Sequence, residues 1–298
     1  MSATVTAPAG GNEPAPAPAK RSRVRNVTFP RILRSEWIKL WTLRSTWWTL
    51  GSTVVIMAGF ALMMAVVVQF LNDQMADVEM AAEDQASMDA VLGAPTVIAG
   101  GYEFAALVVG VLGAMVITGE YSTGMIRSTF AANPGRLGAY TAKATVLAGV
   151  TAVLTSVSLL LGWLVSYPIL NANDMTLDWS DGEALRKLYG VVIYTVLVAL
   201  FALGIGTLLR HTAGAIFTVV AVFLVIPFIF QIVVAFASSL DWVLTVNKFL
   251  PSVAGSAITP SGAQVPEVLD PWVGIGVLGA YTAVVLIAGA VRLKAQDA

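Results

Sequence analysis

Few residues in this sequence have chemistry to offer, and most of them lie in one short stretch. Residues 116–136 read VITGEYSTGMIRSTFAANPGR, where Glu120 and Arg127 bracket a compact group of Tyr, Ser and Thr just after a long uncharged run ends at Thr118. Outside it stand a single histidine, His211, one acid inside an apolar run, Glu103, and the serines Ser156 and Ser158 in LTSVSLLLGW. A serine nucleophile needs a base beside it, and a catalytic metal needs several ligands. The chain has no HExxH, no GxSxG and no pair of aspartates within its apolar runs, so no catalytic constellation is visible. One histidine cannot make a multi-histidine metal site in one chain, and the lack of cysteine excludes disulfides and thiolate ligands. Phosphate cradling by a P-loop needs glycine directly before its lysine, and none of the six lysines follows a glycine. Ser156 and Ser158 are expected to bond their own helix backbone or a neighbouring helix, and His211 to be a plain interfacial residue.

The elements that must position these residues follow from composition. Of 298 residues 57% are apolar and only 12% charged, about half the charged share of a soluble domain. Uncharged runs recur at the length of about 20 residues that spans a bilayer as a helix. The fold expected is all-α and polytopic, with six transmembrane helices near 48–70, 97–118, 144–167, 188–209, 213–236 and 272–291. Pro227, in VIPFIF, predicts a kink in the fifth. Glycines at 110, 113, 204, 206, 276 and 279, with Ala280, are expected to let helices approach closely. Residues 237–271 are too apolar for open solvent and too broken for a span, which predicts short helices at the outer interface.

Ahead of the spans, residues 1–28 are Ala/Pro/Gly-rich and are expected to form a disordered cytoplasmic tail. Residues 29–47 then place Ile32, Leu33, Trp37, Leu40 and Trp41 at spacings of three and four, with Arg34, Glu36, Lys39 and Arg44 among the remainder. That pattern predicts an amphipathic helix at the membrane surface, its tryptophans at headgroup depth. The six-span domain then runs over 48–292, and 293–298 form a second short tail.

Charge fixes the expected orientation. With a cytoplasmic N-terminus, fourteen of the seventeen Lys and Arg fall inside, and only Arg186, Lys187 and Lys248 fall outside. The first outer loop carries six acids and no base. Both termini are therefore expected to be cytoplasmic. This places 116–136 in the first cytoplasmic loop between spans, the other inner connection being almost a bare turn at Arg210–Thr212. A net charge of −1, segregated by loop, gives no sign of nucleic acid as a partner.

The surface segment SEWIKLWTLRSTWW, the stretch VITGEYSTGMIRSTFAANPGR leading into AKATVLAG, and the outer FLPSVAGSAI together resemble a bacterial ABC transporter permease of the type-two exporter class. The likeness covers residues 31 to 292 in order. It implies a connecting helix before the first span (Arg34, Glu36, Trp37, Lys39, Arg44) and a coupling helix in the loop (Glu120, Tyr121, Ser122, Thr123, Gly124, Met125, Ile126, Arg127). Both would dock on a separate P-loop ATPase subunit that holds ATP and magnesium, this chain having no cofactor and no catalytic residue. A second permease copy, identical or homologous, and membrane lipid would be the other partners, in the bacterial cell membrane. Met125 and Ile126 with flanking charge suit a knob pressed into a partner's groove. A route for a hydrophobic or amphipathic substrate would run past Glu103, Phe217, Phe223 and Phe230. Two other classes stay open: an ATP-independent carrier or channel, which would want more intramembrane charge, and an anchor or immunity subunit that recruits an ATPase without transport.

Overall fold

A computed structural model describes residues 28–75, 92–132, 136–237, 240–259 and 269–295 of the 298. The N-terminal tail expectation and the acidic stretch 76–91 lie outside them. The described residues are helical throughout, with no strand among them. In order the helices are α1 (Phe29–Thr42), α2 (Arg44–Met75), α3 (Ala94–Ile98), α4 (Tyr102–Ser122), α5 (Met125–Ala132), α6 (Leu137–Ala172), α7 (Gly182–Leu209), α8 (Thr212–Val220), α9 (Ile226–Ala237), α10 (Asp241–Phe249), α11 (Pro251–Ser256) and α12 (Pro271–Ala295). A π-helical turn, Ala221–Val225, joins α8 to α9 without interruption. It lies immediately before Pro227, whose missing N–H breaks the regular ladder.

Six segments are long and apolar enough to cross a membrane: Arg44–Gln74, Ala94–Ser122, Leu137–Ala172, Gly182–Leu209, Thr212–Phe236 and Pro271–Ala295. Each contains one of the expected spans and extends it by up to a turn or two at the ends. α7 is the most buried of them, packed between α4, α6 and α12, while α2, α8–α9 and α12 form the periphery. An even number of crossings brings the start of α2, the α4–α6 connection, the α7–α8 turn and the end of α12 to one end of the bundle. That end is called the terminal end below.

Glycines decide how close the central helices come. A Cβ on Gly113 would overlap the carbonyl of Ala199, and one on Gly206 would lie 2.7 Å from Ile117 Cγ2, so α4 and α7 cross backbone against backbone. Gly110 seats Val219 and Gly204 seats Val285 in the same manner. Gly276 and Gly279 do not serve this role, since nothing lies within 4 Å of a Cβ at either. On α12 the close approaches fall instead at Gly274, against the Ala254 carbonyl, and at Gly289, against Thr207 and Tyr140. A period-based reading of small residues could not tell the two faces apart, because both are equally apolar.

Several hydroxyls inside the bundle find partners, the two serines of α6 as expected. Ser156 and Ser158 donate to the carbonyls of Ala152 and Leu154, both at 2.8 Å. Thr155 meets Thr195 at 2.9 Å across α6 and α7, and Thr212 donates to Thr118 at 3.0 Å. The bare turn after α7 is built by Arg210, left-handed at φ 57°, and His211. His211 Nδ1 accepts from the Gly214 N–H at 3.2 Å, so the histidine caps α8. Residues 241–249 and 251–256 form the expected short helices; α11 lies against α12, and Asn247 and Ser252 are buried.

The segment before the first span departs from its expected pattern in two respects. Helix α1 stops at Thr42, not at 47, because Leu43 turns extended and α2 begins at Arg44. Its inward face is also rotated relative to the apolar stripe. Leu33, Glu36 and Leu40 face the bundle, while Trp37 is exposed. Trp37, Trp41 and Trp47 instead form a chain of tilted rings at 5.4 and 4.9 Å, with Trp47 Nε1 donating to the Trp41 carbonyl at 3.2 Å.

Candidate functional site

Glu36 points inward because an ionic partner waits there. α1 lies across the start of α6, and Lys143 rises from the second turn of α6 toward it. Lys143 Nζ donates to Glu36 Oε2 at 2.5 Å and to Glu120 Oε1 at 2.8 Å. From the other side Lys39 Nζ donates to Glu36 Oε1 at 2.7 Å, to Glu120 Oε1 at 3.0 Å and to Thr129 Oγ1 at 3.1 Å. Two carboxylates and two ammonium groups thus close a ring of four charges summing to zero. Glu36, Glu120 and Lys143 are each 4% exposed.

Burial of this depth requires full pairing, since an unpartnered charge at the site would cost several kcal/mol on the order of its desolvation. Lys39 spends all three of its N–H donors and lies at the ring's outer edge. Burial alone would lower its pKa, but the hydrogen bond to Glu36 and the charges of Glu120 and Glu36 outweigh it and hold the ammonium above its ordinary 10.5. A group whose folded pKa is raised stabilises the fold below its unfolded value and loses that contribution as pH climbs through the folded one. The difference in thermal midpoint between wild type and Lys39→Gln is therefore expected to be full at pH 9 and to shrink as pH rises beyond 10.5. A difference that holds constant to pH 12 would show that folding does not raise the Lys39 pKa.

The ring ties four elements together: α1 through Glu36 and Lys39, α4 through Glu120, α5 through Thr129 and α6 through Lys143. Around it, α5 forms a short hairpin on the end of α4. The chain reverses at Gly124, left-handed at φ 71°, a conformation that suits glycine. Ile126 is buried beside Tyr121 and Tyr140, pinning α5 to the bundle, and Ser128 and Thr129 bond back to the Met125 carbonyl. Ser122, Thr123, Gly124, Met125 and Arg127 form an exposed ridge. A cavity of about 220 Å³ opens beside the ridge, between Leu43 of the α1–α2 joint, Met115 and Met125, with the ion ring at its floor.

The eight residues expected as one coupling segment therefore divide. Glu120 lies inside the bundle as the last charged turn of α4, not on an outward loop, because Lys39 and Lys143 hold it there. Tyr121 is half-buried under the Arg210 guanidinium, 5.1 Å from its ring centre. Met125 and Ile126 do not act as a pair, one facing out and one in. Arg34 and Trp37 of α1 and Arg44 at the start of α2 are exposed, while Glu36 and Lys39 belong to the ring. Sequence reading counted Lys143 only toward orientation. The available signal was a lone lysine within an apolar helix, which demands a buried counter-charge.

The four residues expected along a substrate route do not share one surface. Phe223 is core, edge-on to Phe201 at 5.3 Å and to Tyr194 at 6.5 Å. Phe217 projects outward, 74% exposed, and Phe230 is half-buried. Glu103 is exposed at the far end of α4, in a cleft with Phe60 and Phe104. Among the described residues no group of three His, Cys, Asp or Glu could hold a metal ion. No protein-family model matches the chain, and no curated protein matches it.

Proposed function

We propose that this chain is the permease subunit of an ATP-driven exporter of the type-two ABC class, carrying a hydrophobic or amphipathic substrate across a bacterial cell membrane. A separate P-loop ATPase would dock at the terminal end, which the lysine and arginine bias assigns to the cytoplasm. Two permease chains would frame the route, and closure of two ATPase subunits would tilt their spans between two packings. One observation supports this reading above the others. The α4–α5 hairpin is fastened rigidly to α1 and α6 by the buried ring, yet offers Met125 and Arg127 outward. A rigid lever with an exposed apolar and charged tip is what a partner must push to move the spans, whereas a solvated loop needs no such fastening.

The experiment is co-purification of the tagged protein from its native membrane, with Met125→Asp/Arg127→Glu beside wild type. Both side chains are exposed and neither makes a hydrogen bond or ion pair with the ring, so the variant is expected to fold as wild type does. Wild type should bring down an ATPase in stoichiometric amount, and the variant should lose about tenfold or more of it. Wild type that purifies alone and supports flux in ATPase-free vesicles would replace this reading with an ATP-independent carrier. ATPase recruitment with no flux in the reconstituted complex would point to the anchor or immunity role.

A further inference from the structure

At the end of the bundle away from the ion ring, α2, α3 and the start of α4 enclose a cleft of about 200 Å³. Its walls are Phe60 and Met64 of α2, Thr96 of α3, and Phe104, and Glu103 stands at its edge. The two rings stack at 5.2 Å with 28° between their planes. The cleft depends on the turn between α3 and α4. Gly101 is left-handed at φ 76°, and a Cβ there would lie 2.8 Å from Phe60 Cβ. That turn lets Phe60 lie directly against the backbone and sets Phe104 beside it. Inside, the Tyr102 hydroxyl donates to Glu103 Oε1 at 3.3 Å and meets Thr259 Oγ1 at 2.7 Å, which fixes the carboxylate's position at the rim.

The donor set selects one class of ligand. A single carboxylate cannot satisfy the six to eight oxygens of a hard metal ion. Its charge repels anions, and the apolar walls offer a neutral sugar few hydrogen bonds. A stacked aromatic pair, a thioether and one carboxylate instead match a monovalent organic cation on an apolar body, held by the ring quadrupole and by one ion pair. Position adds to the selection, since Glu103 is the acid of the first turn of α4 and sits next to the exposed Phe104, where an amphipathic molecule partitioning into the membrane would meet it.

We propose that this cleft binds amphipathic monocations, an amine or other onium group on an apolar body, with Glu103 as counter-ion and Phe60 and Phe104 as the aromatic walls. The site deepens the export reading by naming the class of cargo. It rests on that reading for transport and not for binding.

The test is equilibrium binding to the purified full chain in nanodiscs of phosphatidylcholine, with no ATPase present. The probe is tetraphenylphosphonium, and tetraphenylborate serves as the same shape with opposite charge. Saturable binding of the cation is expected, with the anion failing to compete. Glu103→Gln should weaken it about tenfold or more and Phe104→Ala several-fold, while Glu103→Asp should keep most of it. Thermal midpoints matched to wild type would establish that the variants are folded. Unsaturable binding, equal binding of both probes, or a Glu103→Gln variant equal to wild type would each overturn the proposal. Co-purification reads the ATPase separately, so cation binding by a chain that brings down no ATPase from its native membrane would refute the export reading and leave the cleft standing.

Discussion

Lys143→Met is expected to be among the most damaging single substitutions in this protein, costing on the order of 3–5 kcal/mol of stability. The side chain is 4% exposed and donates to both carboxylates of the ring. Its removal leaves Glu36 and Glu120 buried with Lys39 alone between them, one negative charge in excess where water cannot solvate it. Methionine matches the lysine in length and replaces its apolar stem, so the loss measures charge and not a cavity. A second substitution isolates the cause. Glu36→Gln in the Lys143→Met background returns the site to a neutral Glu120–Lys39 pair, so the double variant should be more stable than Lys143→Met alone. The coupling should amount to about 1–3 kcal/mol, as for groups in one network. Arg127→Ala, exposed and outside the ring, should change stability by no more than about 0.5 kcal/mol. Intrinsic fluorescence of the eight tryptophans during thermal unfolding in detergent reads wild type, Lys143→Met, Glu36→Gln, the double variant and Arg127→Ala. Strict additivity of the two ring substitutions would refute the network.

The same set of variants bears on function. Glu120 is an ambiguous probe of docking, since its loss unbalances the ring before any partner is considered. Met125 and Arg127 are the clean probes, because they face outward on an element that Ile126 and the ring hold in place.

Gly113→Val should also be severely damaging, by a different route. A Cβ on Gly113 falls on the Ala199 carbonyl, and a backbone atom in the most buried helix has no rotamer by which to yield. The α4–α7 crossing would have to widen, separating Gly206 from Ile117 and Gly110 from Val219 along the same seam. Overpacking of this kind costs about 1–3 kcal/mol, and valine adds two further methyls to the clash. The expected result is a protein that is inserted but poorly packed, with a lowered thermal midpoint and loss of monodispersity on size exclusion. Gly279→Ala on α12 is the matched control. Nothing lies within 4 Å of a Cβ there, so it should be neutral or stabilise by up to about 1 kcal/mol through helix propensity. If the two glycines responded alike, the close crossing would be wrong.

The contrast between these glycines shows how far the sequence reaches. Hydropathy located six spans, because the bilayer length imposes a run of about 20 apolar residues on any helix that crosses it. Breaks in that pattern placed the short helices after 240 and the α1 segment before the first span. Local chemistry was legible as well, in the backbone-bonded Ser156 and Ser158 and in the turn at Arg210 and His211. These features depend on neighbours along the chain, so spacing and residue type carry them.

The ion ring and the cleft depend on neighbours in space. Glu36 and Lys143 are separated by 107 positions, and nothing in either local pattern names the other. The amphipathic stripe of α1 put its tryptophans at headgroup depth and its charges, Glu36 among them, toward water. The fold turned Glu36 inward because the bundle side holds Lys143, and a buried carboxylate requires a paired charge. Phe223 likewise turned from a route to a core position once Phe201 and Tyr194 closed on it. By itself the sequence determined the number, extent and order of the helices, since hydrophobic length is a one-dimensional property. The tertiary structure alone decided which charges are interior, which glycines are contacts and which aromatic rings face a cavity, since each is a distance between helices that the chain's spacing does not encode.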